Sequence, residues 1–192
     1  MTTTFLKSIV KLEELPTDEK PQVAFVGRSN VGKSSLLNNL TGQVGLAKVS
    51  AEPGRTQTLN LFSVDSRYYL VDLPGYGFAK TSKAKREGFG ELIREYLWQT
   101  QALRLVLLII DARIGPTDLD REMMEYLQSG SIPFSIIVNK IDKLSRTESD
   151  RLMRSLEANL PGVTLLFHSN VTGQGLGEIR QTIEQVVRRK AA

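Results

Sequence analysis

Cysteine is absent from this 192-residue sequence, and histidine occurs once, as His168. Without thiols the chain forms neither disulfides nor thiolate metal sites, so a reducing cytoplasm is the compartment we expect. One histidine is too few for a metal site built from clustered imidazoles. These absences exclude disulfide-stapled secreted domains and cysteine- or histidine-rich metal-binding domains.

Long hydrophobic runs are also missing. The longest apolar run, Leu105 to Ile110, is far shorter than the roughly 20 residues that a membrane-spanning helix needs. Near the start of the chain, Lys7 and Ser8 interrupt the apolar residues before they reach the length of a signal-peptide core. We therefore expect a cytoplasmic protein without membrane contact, and we expect it to be a monomer.

The charge is only mildly one-sided, with 25 basic and 21 acidic residues and a formal net charge of +4. This excess permits contact with nucleic acid without requiring it. The length suits one domain with a substantial core. A turn-rich break from Pro16 to Pro21 separates a predicted N-terminal lead-in, residues 1–20, from a single predicted domain, residues 21–192.

Apolar runs alternate with amphipathic helical patterns after this break, which predicts an α/β fold in three layers. The runs Leu59–Val64 and Tyr68–Val71 flank a polar turn and predict a hairpin. We therefore predict a mostly parallel six-stranded sheet with one antiparallel edge strand, and an extended edge segment over Phe5 to Leu15. The predicted strands are Val23–Val26, Leu59–Val64, Tyr68–Val71, Leu105–Ile110, Phe134–Val138 and Val163–Phe167.

The stretch Gly27 to Ser34 reads GRSNVGKS and lies between the first strand and a predicted helix. Gly27 and Gly32 allow backbone N–H groups to face a phosphate chain. Lys33 is a point charge for the β- and γ-phosphates, and the Ser34 hydroxyl can bind Mg²⁺. The alternative, an ordinary glycine turn, does not explain the lysine and the serine.

Two features further along complete a predicted magnesium site. Asp72-Leu73-Pro74-Gly75 follows a strand, so Asp72 can hold the Mg²⁺ hydration shell and the Gly75 N–H can face a γ-phosphate. Such a stretch alone is a common turn, but its place after residues 27–34, the predicted phosphate loop, favours the functional interpretation. Thr56, in the loop before the hairpin, is predicted to complete the Mg²⁺ coordination.

Asn139-Lys140-Ile141-Asp142 predicts which base is bound. A carboxylate at Asp142 can accept hydrogen bonds from both N1–H and the 2-amino group of guanine, whereas adenine offers no such pair of donors. Asn139 is predicted to tie this loop to the phosphate loop, and the Lys140 stem to cover the base. A polar strand-end loop without a ligand is the alternative. The nucleotide we expect is GTP or GDP.

These motifs, in this order, resemble the translation-factor-type GTPases and, more narrowly, the EngB family of ribosome-assembly GTPases. The resemblance covers nearly the whole chain and rests on residues 27–35, 53–58, 72–78 and 139–142, of which the middle two stretches are the more family-specific. It implies a P-loop NTPase G domain that hydrolyses GTP to GDP as a molecular switch. It also implies a role in assembly of the large ribosomal subunit, with effects on cell division and septation when the protein is lost.

The resemblance also assigns site residues. Residues 54–58 belong to switch I, residues 72–75 open switch II, and Phe167 to Ser169 form the last guanine-binding loop through their backbone. That loop departs from the family's usual Phe-Ser-Ser at His168, a change we expect to be tolerated; we give His168 no catalytic role. The implied Mg²⁺ ligands are Ser34, Thr56 and Asp72, and the implied catalytic residues are Asn30, Lys33, Thr56 and Gly75. The implied nucleotide contacts are Gly27, Arg28, Ser29, Asn30, Val31, Gly32, Lys33, Ser34, Gly54, Arg55, Thr56, Gln57, Thr58, Asp72, Leu73, Pro74, Gly75, Asn139, Lys140, Ile141, Asp142, Phe167, His168 and Ser169.

One expected residue is missing. Many small GTPases carry a glutamine directly after D-x-x-G, where it orients the attacking water, but this sequence has Tyr76 there. Slow intrinsic hydrolysis is therefore predicted. Asn30 resembles the asparagine with which related GTPases help to hold K⁺ near the phosphates, which makes K⁺ a candidate cofactor.

Two other functions compete with a GTPase switch. Basic clusters at Lys80 to Arg86 and Arg188 to Lys190 fit an RNA- or ribosome-binding module whose nucleotide only tunes its affinity, although solvated basic faces explain them equally well. An ATP-dependent P-loop kinase shares the glycine loop but leaves the stretch from Asn139 to Asp142 unexplained.

Overall fold

A computed structural model of the protein describes residues 2–47, 58–77 and 90–189. Within these residues a seven-stranded sheet runs in the order β1-β3-β4-β2-β5-β6-β7. The strands are Thr3–Ile9 (β1), Gln22–Gly27 (β2), Leu59–Val64 (β3), Tyr68–Asp72 (β4), Leu103–Asp111 (β5), Phe134–Asn139 (β6) and Thr164–His168 (β7). The described α-helices are Lys33–Thr41 (α1), Glu91–Gln99 (α2), Asp118–Ser129 (α3), Arg146–Asn159 (α4) and Leu176–Arg188 (α5).

The sheet confirms the predicted α/β class and the predicted hairpin, since β3 pairs antiparallel with β4. Strands β4, β2, β5, β6 and β7 are mutually parallel. Two details of the prediction were wrong. The sheet has seven strands rather than six, and the antiparallel strand β3 is not at the edge, because β1 pairs antiparallel along its outer side.

Strand β1 overlaps the predicted extended edge segment, Phe5 to Leu15, but it was not counted as a strand of this sheet because its side chains carry little pattern. It buries Thr3 and Ile9 at its two ends and leaves the five residues between them exposed, including Phe5 and Leu6. Alternation of apolar and polar residues, which reveals a half-buried strand, is therefore absent. Backbone pairing with β3 holds β1 in place, so part of the expected lead-in belongs to the sheet.

Helices cover both faces of the sheet. On β5, Val106, Leu108 and Ile110 share a buried cluster with residues of α2, α3 and α4. The alternate residues Leu105, Leu107 and Ile109 share a second cluster with residues of α1 and α5. Burial on both faces explains why the parallel strands are continuous apolar runs. Among the described helices, none combines the length and the apolar character that a bilayer crossing requires.

The topology gathers the polar ends of the strands at one edge of the sheet. The carboxyl ends of parallel strands meet at the same edge, where open α/β sheets bind ligands. In register, Asp111 at the end of β5 lies beside Asn139, and Asn139 lies beside His168 at the end of β7. Gly27 ends β2 and Asp72 ends β4 at this same edge.

Two glycines between β7 and α5 shape one of the loops at this edge. Gly173 and Gly175 both have positive φ, +75° and +79°. A Cβ on Gly173 would enter open space, whereas a Cβ on Gly175 would collide with the carbonyl oxygen of Phe167. Gly175 therefore needs glycine for its backbone conformation and for the close approach to β7.

This pair generates a stability prediction. We expect Gly173→Ala to cost about 1–2 kcal/mol, the penalty of a left-handed conformation for a residue with a Cβ, and to lower Tm by a few degrees. Gly175→Ala should lower Tm at least about twice as far, because the start of α5 must also move away from β7. Thermal unfolding followed by circular dichroism measures both, and equal losses of Tm would contradict the proposed collision.

Candidate functional site

The loop between β2 and α1 is shaped by glycine and by left-handed backbone. Gly32, which caps α1, has φ +102°, and Asn30 has φ +65°. A Cβ on Gly32 would collide with Asn139 Nδ2 and would lie 2.7 Å from Asn170 Nδ2. Gly32 therefore permits the loop to approach the ends of β6 and β7 more closely than another residue would.

Lys33 and Asp72 form an ion pair at the start of α1. Lys33 Nζ lies 2.7 Å from Asp72 Oδ1, and the two side chains are 11% and 8% exposed. Each charge of the pair compensates the other for the solvent contacts that are lost on burial. A single buried charge would have no such compensation. The pair joins the phosphate loop to the end of β4.

The segment after Asp72 is hydrogen-bonded to the same loop. Ser29 N donates to Tyr76 O over 2.9 Å, and Tyr76 N donates to Gly27 O over 3.3 Å. The Ser29 hydroxyl donates to Gly75 O over 3.3 Å. A Cβ on Gly75 would lie within about 3.1 Å of Ser29 atoms, so glycine allows this close contact.

The Tyr76 side chain points into the core rather than into the loop region. The residue is 4% exposed, and its hydroxyl donates to Asp120 Oδ1 over 2.6 Å. Asp120 also accepts hydrogen bonds from Thr117 at the start of α3. Burial, together with the Asp120 charge, raises the pKa of Tyr76 far above its usual value, so the hydroxyl remains a donor. The position that holds a glutamine in many small GTPases thus carries a side chain that is part of the core.

Asn139 links the end of β6 to the phosphate loop. The residue is fully buried, and its Nδ2 donates to Val31 O over 2.8 Å, which confirms the predicted tie between the two loops. Its Oδ1 lies 3.1 Å from His168 Nδ1. Lys140, with φ +66°, extends back across the loop, and its Nζ donates to Asn30 O over 2.8 Å.

Asp111 is a residue of this site that the sequence did not single out. It accepts from Lys140 Nζ over 2.8 Å and from Arg113 Nε and Nη2 over 2.9 and 2.6 Å. Burial alone would raise the pKa of Asp111, but the hydrogen bonds from Arg113 and Lys140 outweigh burial and hold the pKa well below its usual value. The sequence did contain one signal for Asp111, because it is a carboxylate at the end of an apolar strand and lies two residues before Arg113.

Asp142 is held by the loop that follows β7. The Ser169 hydroxyl donates to Asp142 Oδ1 over 2.6 Å, and Lys143 Nζ lies 3.3 Å from Asp142 Oδ2. The hydrogen bond from Ser169 is the main reason that the pKa of Asp142 is lowered. The carboxylate is therefore ionised at neutral pH and accepts hydrogen bonds.

Most residues of the phosphate loop line one cavity of about 390 Å³ together with Asp142. This volume lies in the range of small-molecule binding sites. Lys33 and Asp142, from loops far apart in the sequence, both face it. The lining residues are Arg28, Ser29, Asn30, Gly32, Lys33, Ser34, Ser35, Gly75, Lys140, Asp142, Lys143, Asn170 and Val171.

The remaining expected site residues lie in three places. Gly54, Arg55, Thr56 and Gln57 are outside the described residues, as is the basic cluster from Lys80 to Arg86, and Thr58 directly precedes β3. Leu73, Ile141 and Phe167 belong to the hydrophobic core and its margin. The residues that line the cavity do not include the other expected contacts, Gly27, Val31, Asp72, Pro74, Asn139, His168 and Ser169. Lys143, Asn170 and Val171 line the cavity although the sequence did not indicate them.

Comparison with known proteins places this chain in a family. Residues 22–140 match a family described as "50S ribosome-binding GTPase". A relative from Prosthecochloris aestuarii, described as "Probable GTP-binding protein EngB", is 41% identical over 94% of this chain and 95% of its own length. A relative of the same description from Lactobacillus acidophilus is 42% identical over 94% of each chain.

Solved structures agree with this assignment at the level of the fold. A crystal structure described as a probable GTP-binding protein engB has a TM-score of 0.70 at 22% identity and covers 88% of this chain and 100% of its own. A structure of Era in complex with MgGDPNP and nucleotides 1506–1542 of 16S ribosomal RNA has a TM-score of 0.68 at 26% identity. The match covers 90% of this chain but only 58% of the Era chain. Together with the identity to its EngB relatives, these matches show that the chain belongs to the EngB family of GTP-binding proteins and is a GTPase.

Proposed function

We propose that this GTPase is a Mg²⁺-dependent switch in the cytoplasm that acts in assembly of the large ribosomal subunit, and that its loss affects cell division and septation. The observation that supports the nucleotide site is that Lys33 and Asp142 line the same cavity. The description of the matching family as ribosome-binding supports the partner.

The end of the cavity at α1 fits the phosphates and Mg²⁺. Ser34 supplies a hydroxyl and Asp72 a carboxylate, which are the hard oxygen donors that Mg²⁺ prefers. We assign the metal to these two residues together with Thr56, which lies outside the described residues. Lys33, 2.7 Å from Asp72, would bind the β- and γ-phosphates. When bound, Mg²⁺ would neutralise charge on those phosphates.

The part of the cavity at Asp142 fits guanine. Asp142 is ionised and oriented by Ser169, so it presents two acceptor oxygens for the N1–H and 2-amino donors of the base. The Lys140 stem, held by Asp111 and by Asn30 O, would cover the base. The backbone of Phe167 to Ser169 would contribute N–H groups toward guanine O6.

The switch would operate at the contacts between the phosphate loop and residues 75 and 76. The bond from Ser29 N to Tyr76 O brings Gly75 against this loop, where its N–H can respond to a γ-phosphate. GTP would order the loops around Gly75 and Thr56, and hydrolysis would release them. Because the Tyr76 side chain is buried against Asp120, it does not orient water, which supports slow intrinsic hydrolysis.

The first prediction concerns base selection. Asp142→Asn should weaken GTP binding by roughly ten- to a hundredfold, because the amide cannot accept both guanine donors. It should improve binding of xanthosine triphosphate, because the amide can donate to the 2-oxo group. Asp118→Asn, at a fully exposed side chain on α3, is the control. A competition assay with an unchanged preference for GTP would refute the guanine assignment.

The second prediction concerns Asn30 and K⁺. At equal ionic strength, GTP turnover should be faster in K⁺ than in Na⁺ by roughly tenfold or more, as expected when a cation stabilises transition-state charge. Asn30→Ala should remove this difference, while the exposed control Asn159→Ala should retain it. Phosphate release measured in both salts, with and without ribosomal particles, provides the test. Equal turnover of the wild type in the two salts would exclude the role of K⁺.

The third prediction concerns the ribosomal partner. Co-sedimentation with immature and mature large subunits should be strongest in the GTP form and should weaken in GDP and without nucleotide. In the Asp142→Asn variant, xanthosine triphosphate rather than GTP should promote binding, which controls for effects of nucleotide on the subunits. Binding that ignores the nucleotide and falls steeply with salt would instead favour an RNA-binding module.

A further inference from the structure

His168 is a buried titratable side chain at this edge of the sheet, and the proposed mechanism gives it no role. It ends β7 and is fully buried, directly beside Asn139 of β6 in the sheet register. Its Nδ1 lies 3.1 Å from Asn139 Oδ1.

The hydrogen-bond chain determines which nitrogen of the ring carries the proton. The carbonyl of Val31 can only accept, so Asn139 must direct its Nδ2 toward it, as the 2.8 Å contact shows. Asn139 Oδ1 then faces His168 and can only accept. His168 Nδ1 must therefore donate, and a neutral ring leaves Nε2 unprotonated.

The surroundings of Nε2 agree with a neutral ring. Nε2 is buried and has no hydrogen-bond partner among the described residues. A proton at Nε2 would create a buried charge without a partner, which is costly. Burial accordingly lowers the pKa of His168, although the Asp142 charge acts in the opposite direction.

Asn139 is therefore held from two sides, and its position matters for the phosphate loop. Its Nδ2 donates to the Val31 carbonyl, so a rotated amide would turn Oδ1, a second acceptor, toward that carbonyl and lose the bond. We propose that His168 is a positioning residue, whose Nδ1–H fixes the Asn139 amide in the orientation that joins residues 139–142 to the phosphate loop. This fixed orientation slows release of the bound guanine nucleotide. The proposal rests on the nucleotide site assigned above.

Two variants separate the hydrogen bond from the shape of the side chain. His168→Asn retains an N–H donor near the place of Nδ1, and His168→Leu has a similar size without a donor. Stopped-flow release of a fluorescent GDP analogue should be faster by roughly tenfold in His168→Leu and within about threefold of wild type in His168→Asn. In an Asn139→Ala background, His168→Leu should have little further effect, because the two residues act through one bond.

A loss of Tm in His168→Leu with an unchanged release rate would show a merely structural residue and overturn the proposal. If Asp142→Asn alters base preference while His168→Leu leaves release unchanged, the nucleotide site stands and the positioning role fails. If neither variant affects nucleotide binding, the site assignment itself fails.

A measurement on the wild-type protein tests the tautomer without any variant. Because the chain has a single histidine, a long-range ¹H–¹⁵N spectrum of histidine-labelled protein contains the signals of this ring alone. We expect a protonated Nδ1 and an unprotonated Nε2 at pH 7.5. A proton on Nε2 with Nδ1 bare would overturn the proposal, since Nδ1 could then not donate to Asn139.

Discussion

The hydrogen bond from Asn139 Nδ2 to the carbonyl of Val31 is the contact on which the rest of the site depends. It joins the end of β6 to the loop after β2, although the two residues are 108 positions apart in the chain. Both groups are buried, so the loss of either partner would leave an unsatisfied polar group at a cost of about 1–3 kcal/mol. Gly32 leaves room for this contact. Without the contact, the loop after β6 would not be joined to the loop after β2.

Paired charges hold the cationic side chains on either side of this contact. Lys33 is paired with Asp72, and Lys140 with Asp111. Each lysine is thus placed by a carboxylate at the end of a strand, and the rigid sheet sets the distance between them. Burial of such pairs adds little to stability, but it fixes the direction of each ammonium group. The cavity is preorganised by the sheet rather than by loops alone.

The sequence revealed the features that are local. The glycine loop, the strand-end carboxylates and the continuous apolar runs each fall within a few residues, so the α/β class and the tie through Asn139 were predictable. Contacts that no local motif marks were not predictable. Strand β1 lacks an alternating pattern, Asp111 resembles any strand-end carboxylate until Lys140 approaches it, and a missing glutamine at Tyr76 does not disclose that the tyrosine ring packs against α3.

The place of β1 has a consequence for how the chain folds as it is synthesised. Its partner, β3, begins 50 residues after β1 ends, at Leu59. During synthesis β1 therefore has no neighbour in the sheet until β3 has been made, and closing that long loop carries an entropic cost that local contacts do not repay. The outer strand of the sheet is consequently made before its partner and cannot take its place until β3 follows.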